Sequence, residues 1–133
     1  MNIDYRDNAI ISALDAIDLY RRSTLGERRP VDRPDLFDGM LKNSDLVVSA
    51  WSDSRLVGIA RTLTDFNCVA YLADLAVDLD FQKQGIGKRL IEITRQHLKP
   101  ECMMVLLAAP KANEYYAKLG FEHNPRAWVR RGD

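Results

Sequence analysis

Seven consecutive residues, Gln82-Lys83-Gln84-Gly85-Ile86-Gly87-Lys88, follow an apolar run that ends at Val77 and open a segment whose apolar residues recur at helical spacing. The first turn of a helix carries unpaired backbone N–H groups and the positive end of the helix dipole. Glycines there let the backbone approach a bulky anion, so the segment has the chemistry of a pyrophosphate site. Lys83, Lys88 and Arg89 add fixed positive charge. Two nucleotide-binding turns that share this physics are excluded. A phosphate loop, GxxxxGK followed by Ser or Thr, requires Gly where Gln82 stands and Ser or Thr where Arg89 stands. A GxGxxG dinucleotide turn requires a small residue where Leu90 stands, and Asp78-Leu79-Asp80-Phe81 makes its strand-to-turn connection too long. What remains is Q-x-x-G-x-G at a helix start.

A second candidate lies just upstream. Asp74 interrupts the otherwise apolar run Val69 to Val77. Burial there is expected to raise the pKa of its carboxyl toward the range useful to a general base. The competing reading is structural, an aspartate held by a neighbouring Thr, Arg or backbone N–H. Asp65, beside Phe66 and Asn67, reads as a turn former.

The elements that must position these residues follow from pattern. Ile10, Ile11, Leu14, Ile17 and Tyr20 predict an amphipathic helix over about residues 8–22. Arg21 to Arg33 is charged, contains Gly26 and Pro30, and reads as a solvated loop. Leu36, Phe37, Met40 and Leu41 predict a second helix with Pro34 near its start. Leu46–Trp51 and Leu56–Leu63, joined by Ser52-Asp53-Ser54, read as a hairpin, and Val69–Val77 as a further strand. Ile86, Leu90, Ile93 and Leu98 give the next helix, stopped at Lys99-Pro100. Cys102 to Ala108 is apolar on both faces and predicts a central strand covered on both sides. Strand, helix and strand in that order make a parallel crossover unit. Pro110 begins a last helix carrying Tyr115 and Tyr116 and ending at Gly120. Phe121 and Ala127 to Arg130 are candidates for short closing strands.

In this order the motifs resemble the GNAT acyltransferase superfamily, whose acetyl-CoA signature is Gln or Arg, two residues, Gly, one residue, then Gly or Ala. Gln82 to Gly87 matches it in full, LADLAVD resembles the family's fourth strand, and NEYYAKLGF resembles its closing helix. The likeness, to small bacterial-type members, covers residues about 46–121. It implies the α/β GNAT acyl-CoA N-acyltransferase fold. That fold is a mixed, mostly antiparallel sheet with helices on both faces and one parallel unit of fourth strand, third helix and fifth strand.

The resemblance also implies acetyl-CoA as cosubstrate, no metal, and a cofactor mouth where the fourth and fifth strands splay. The pantetheine arm would pair with the backbone of Leu75, Ala76 and Val77. The pyrophosphate would sit on the amides of Gln84, Gly85, Ile86, Gly87 and Lys88, in the turn that Gln82 and Lys83 begin. The Leu75 N–H is the implied oxyanion donor and Tyr116 the implied general acid, with Asp74 the candidate base. Tyr115 reads as packing, and Tyr71 as a candidate wall of the acceptor pocket. One departure stands out. The family's Asn, seven residues before the acidic Tyr, is Ala109 here, and Asn113 is the candidate substitute. The implied activity is acetyl transfer to an amine of a small molecule or protein. The alternative is a CoA-binding regulatory module without turnover.

Composition bounds the rest. The 133 residues suit one domain over residues 1–133, and 19 basic residues cancel 19 acidic ones, which weakens any global attraction to nucleic acid or an anionic membrane. Cys68 and Cys102 show no disulfide or metal spacing, and His97 and His123 leave little for zinc. Trp51 and Trp128 read as packing. The expectation is a reduced, cytoplasmic protein, monomer or homodimer, with no nucleic-acid or membrane partner.

Overall fold

The computed structural model describes residues 2–132, Lys111 by its backbone alone; Met1 and Asp133, the ends of the expected domain, lie outside the described residues. In chain order the elements are β1 (Asp4–Arg6), α1 (Ala13–Arg22), α2 (Pro34–Lys42), β2 (Leu46–Ser52), β3 (Arg55–Thr64), β4 (Val69–Val77), α3 (Ile86–Gln96), β5 (Met103–Val105) and α4 (Asn113–Ala117). Short 3-10 turns occupy Thr24–Arg28, Leu79–Phe81 and Pro110–Ala112. The strands lie in sequence order in one sheet, antiparallel except for the parallel β4–β5 pair. The mixed sheet with its parallel crossover is the fold class the sequence implied.

Each face of the sheet is covered by an apolar helix stripe. On one side α1 and α2 bury Tyr20 and Phe37, whose rings meet edge to face at 5.0 Å, against Ile59 and Ala76. On the other, Ile86, Leu90 and Ile91 of α3 pack on Val48, Ala60 and Leu72. The first helix begins at Ala13, later than the apolar spacing predicts. The Ser12 hydroxyl accepts from the Asp15 amide at 3.1 Å and fixes the start, leaving Ile10 98% exposed.

The register of β3 and β4 shifts once. Arg61 pairs with Asp74, but Thr62 pairs with Leu72, so Ala73 is an extra residue in β4. A bulge of this kind turns the following side chains over. Leu72 faces α3, whereas Asp74 and Ala76, which share its parity in sequence, face α1. The same irregularity coincides with the end of β4–β5 pairing. The parallel ladder runs Val69–Met103, Ala70–Met104 and Tyr71–Val105 and stops, while β4 continues to Val77. The two strands therefore open apart.

This opening corrects the reading of residues 102–108. The apolar run is not a central strand: only Met103–Val105 pair, at the edge of the described sheet, and Met103 is 61% exposed. Leu106 and Leu107 line the space between the strands instead. Residues 121–132 contain no strand, and Trp128 is exposed rather than packed. Trp51 is buried as expected, its indole N–H donating to Ser49 at 2.9 Å. His97, at the end of α3, lies 3.0 Å from Asp7.

Candidate active site

Gly85 caps α3 in the left-handed region at φ 82°, which only glycine adopts without strain. Lys83 takes a left-handed φ of 64°, an unusual state for a residue with a side chain. The first helical bond runs from the Arg89 amide to the Gly85 carbonyl at 3.0 Å. The amides of Ile86, Gly87 and Lys88 precede that bond, and the cap residue has no side chain to accept from them. An external anion is their natural acceptor. The Gln82 side chain serves the connection between β4 and α3 instead, its amide donating to the Val77 carbonyl at 3.1 Å.

The turn opens onto a cleft of about 700 Å³ that follows the gap between β4 and β5. Leu75, Ala76, Val77, Gln82, Lys83, Gly85, Ile86, Gly87, Lys88 and Tyr116 all line it. Gln84 and Asn113 are exposed and do not line it, and Arg89 pairs with Glu92 at 3.7 Å instead. Tyr71 pairs opposite Val105 and also lies off the cleft. Strand alternation shows which backbone groups face the gap. The carbonyls of Ala73 and Val77 accept from the side chains of Arg29 (3.0 Å) and Gln82 (3.1 Å) rather than from a strand. Leu75, between them, presents its N–H and carbonyl to the same open edge. The Val77 carbonyl is already satisfied, so the open backbone pairing falls chiefly to Leu75.

Asp74 does not line the cleft. Its side chain is completely buried on the α1 side. One oxygen accepts from the Tyr20 hydroxyl at 2.6 Å and Arg61 Nε at 2.7 Å, the other from Arg29 Nε at 2.7 Å. Burial and then the Asp74 charge push the Tyr20 phenol well above its ordinary value, so it stays a donor. A carboxylate engaged in this way is shared by two guanidiniums and has no path to a substrate proton. The geometry therefore corrects the base assignment in favour of the structural reading. Arg29, taken from sequence as part of a solvated loop, is half-buried and clamps the Thr24–Arg28 turn onto the bulge. Arg22 likewise reaches Asp78, with Arg55 joining it at 2.9 Å.

Tyr115 and Tyr116 meet edge to face at 5.3 Å, and Tyr116 stacks in the same way on Phe121 at 5.7 Å. Burial raises both phenols above the ordinary value, and for Tyr116 the neighbouring Tyr115 adds to it. Both are neutral donors at physiological pH. Tyr115 does more than pack: a Cβ built on Gly87 would stand 2.7 Å from its hydroxyl. That hydroxyl therefore lies against the anion turn. Neither spacing nor composition signals this, because it depends on how α4 meets α3.

The site is a sheet opened beside an uncapped, glycine-led helix start, with a cleft running along the gap. A family model described as an acetyltransferase (GNAT) domain matches residues 26–132, and the chain belongs to this family. The uncharacterized N-acetyltransferase ycf52 of Pyropia yezoensis is 31% identical over 134 residues, which cover 92% of this chain and 75% of that protein. Two Glycine max proteins, the probable acetyltransferase TAP2 and the histone acetyltransferase TAP1, are each 32% identical over 90% of this chain. The chain spans only 54% and 58% of their lengths. Among solved structures, a probable acetyltransferase from meticillin-resistant Staphylococcus aureus superposes with a TM-score of 0.81 at 20% identity, covering 99% of both chains. The aminoglycoside N-acetyltransferase AAC(6')-Iy, solved with CoA, gives 0.73 at 20% identity over 98% of this chain and 95% of that one.

Proposed function

We propose that this chain is an N-acetyltransferase that moves the acetyl group of acetyl-CoA directly to a primary amine. One observation carries the reading: the uncapped start of α3 opens into the gap where β4 leaves β5, with Tyr116 lining the same cleft. Family membership and the N-acetyltransferase names of its relatives support it.

Residues fit the cosubstrate at both ends of the cleft. The amides of Ile86, Gly87 and Lys88, with the Lys83 and Lys88 ammoniums and the Tyr115 hydroxyl, suit the diphosphate. The exposed backbone of Leu75 suits the amide-bearing arm. When bound, acetyl-CoA supplies an activated acyl thioester. The Leu75 N–H, facing the open edge, would donate to the thioester carbonyl oxygen. Tyr116, kept protonated by its half-buried setting and lining the cleft, would supply the proton that the thiol leaving group needs. With Asp74 engaged, no carboxylate among the described residues lines the cleft, so the amine loses its proton to water.

The test measures thiol release from acetyl-CoA across a panel of amines, with calorimetry of acetyl-CoA binding alongside. Release that depends on the amine supports catalysis. Tight binding with no release above the buffer rate for any amine supports a CoA-dependent regulatory module instead.

A further inference from the structure

Resting on that reading, we infer that the acceptor is a small amine carrying its own anionic group, a carboxylate above all, and that Arg28 selects it. The direction of the cleft locates the acceptor end. β4 runs toward the anion turn, so an arm anchored there and laid back along the open edge passes Leu75 and reaches the bulge at Ala73. Beside the bulge stands the Thr24–Arg28 turn, held by the bond from Arg29 to the Ala73 carbonyl. The amine must meet the acyl group against this wall.

The charges on the cleft are one-sided. Arg28, Arg29, Lys83, Lys88 and Lys118 line it, and no Asp or Glu does so among the described residues. Arg29 is engaged by Asp74, which Arg61 shares, and Lys83 and Lys88 stand at the anion turn. Lys118 follows α4, whose Tyr115 lies against the anion turn, and Arg28 stands on the Thr24–Arg28 turn at the acceptor end, exposed, with no ion pair among the described residues. Its backbone is fixed. The guanidinium that binds Asp74 and the Ala73 carbonyl also donates to the Arg28 carbonyl at 2.8 Å.

A polycation entering this cleft meets like charge and no counter-ion. A carboxylate meets a guanidinium, whose paired donors match its two oxygens. Leu72, Leu106 and Leu107 supply an apolar wall for the body of the acceptor. The same cations lower the pKa of a bound ammonium and favour the neutral nucleophile, as a cleft without a carboxylate base requires.

The experiment compares matched amines that differ only in a carboxylate, phenylalanine with phenethylamine and tyrosine with tyramine, using the full chain and saturating acetyl-CoA. Spermidine and kanamycin serve as polycations. Each acid is expected to have a kcat/KM about tenfold above its carboxylate-free partner, and the polycations the lowest values. Arg28→Gln should close most of the gap through KM for the acid, and Arg28→Lys should restore part of it. Preference for the polycations, parity within the pairs, or a gap that survives Arg28→Gln would overturn the inference and leave acetyl transfer standing. Loss of acetyl-CoA affinity in Arg28→Gln, with the acid preference intact, would place Arg28 on the cosubstrate and overturn it as well. Absence of release with every amine would bring down the acetyl-transfer reading and this inference together.

Discussion

Replacing Asp74 with Asn separates a structural carboxylate from a catalytic one. Three donors converge on Asp74 within 2.7 Å, two of them guanidiniums, and its side chain has no exposed surface. The substitution keeps the shape and removes the charge, so the buried Arg61 and the half-buried Arg29 lose their shared counter-ion. Breaking a buried ion pair from one side costs about 3–5 kcal/mol. Set against a typical total of about 5–15 kcal/mol, that is a large share. At about 3–5 °C per kcal/mol for a domain of this size, the melting temperature should fall by about 9–25 °C. Calorimetric melting measures this, and thiol release well below the new midpoint measures the chemistry. A general base would behave oppositely, losing about 100-fold or more in kcat with little change in stability. An Asn variant that melts within about 2 °C of the parent while kcat collapses would refute the structural assignment. Loss of the clamp on the Thr24–Arg28 turn should instead raise KM for the amine more than it lowers kcat.

Three further outcomes test other parts of the reading. Gly87→Glu should weaken acetyl-CoA binding about 100-fold, or about 2.7 kcal/mol, by placing a carboxylate against the anion site. Its melting temperature should hold, since the Tyr115 hydroxyl 2.7 Å from the new Cβ belongs to a ring that can turn aside; unchanged affinity by calorimetry would remove the turn from binding. Tyr116→Phe should lower kcat at least about tenfold and leave acetyl-CoA affinity unchanged. In the parent, the raised phenol stays protonated beyond its ordinary value of 10.0, so the Tyr116-dependent part of kcat should persist until the pH passes that point, as a pH profile would show. At Asp78, burial alone would raise the carboxyl, but the Asp80 amide, Arg22 and Arg55 outweigh it and hold the pKa below the ordinary 3.8. The stability it contributes is present above that value and lost as pH falls through the lower folded one. Urea unfolding should show Asp78→Asn less stable at pH 7, with the difference closing in acid.

The sequence by itself determined the parts of this protein whose physics is local. Gly85 and Gly87 at a helix start leave amides without partners whatever the chain does elsewhere, so this uncapped helix start was readable from seven residues. The same holds for the Asp65 turn, where one carboxylate oxygen accepts from the amides of Asn67, Cys68 and Val69. The element order of the crossover was likewise legible in apolar periodicity. Only the tertiary structure decided the role of Asp74, whose partners Tyr20, Arg29 and Arg61 lie 54, 45 and 13 residues away. It also decided the adjacent pair Arg28 and Arg29, one facing the cleft with no ion pair among the described residues and the other holding a buried carboxylate. The face that Asp74 takes turns on the single extra residue at Ala73. A strand carries its side chains on alternating faces, so one inserted residue exchanges the faces of all that follow. Hydrogen bonds between near neighbours leave a mark in consecutive residues; the meeting of charges across a sheet depends on register, which is fixed when the chain has packed.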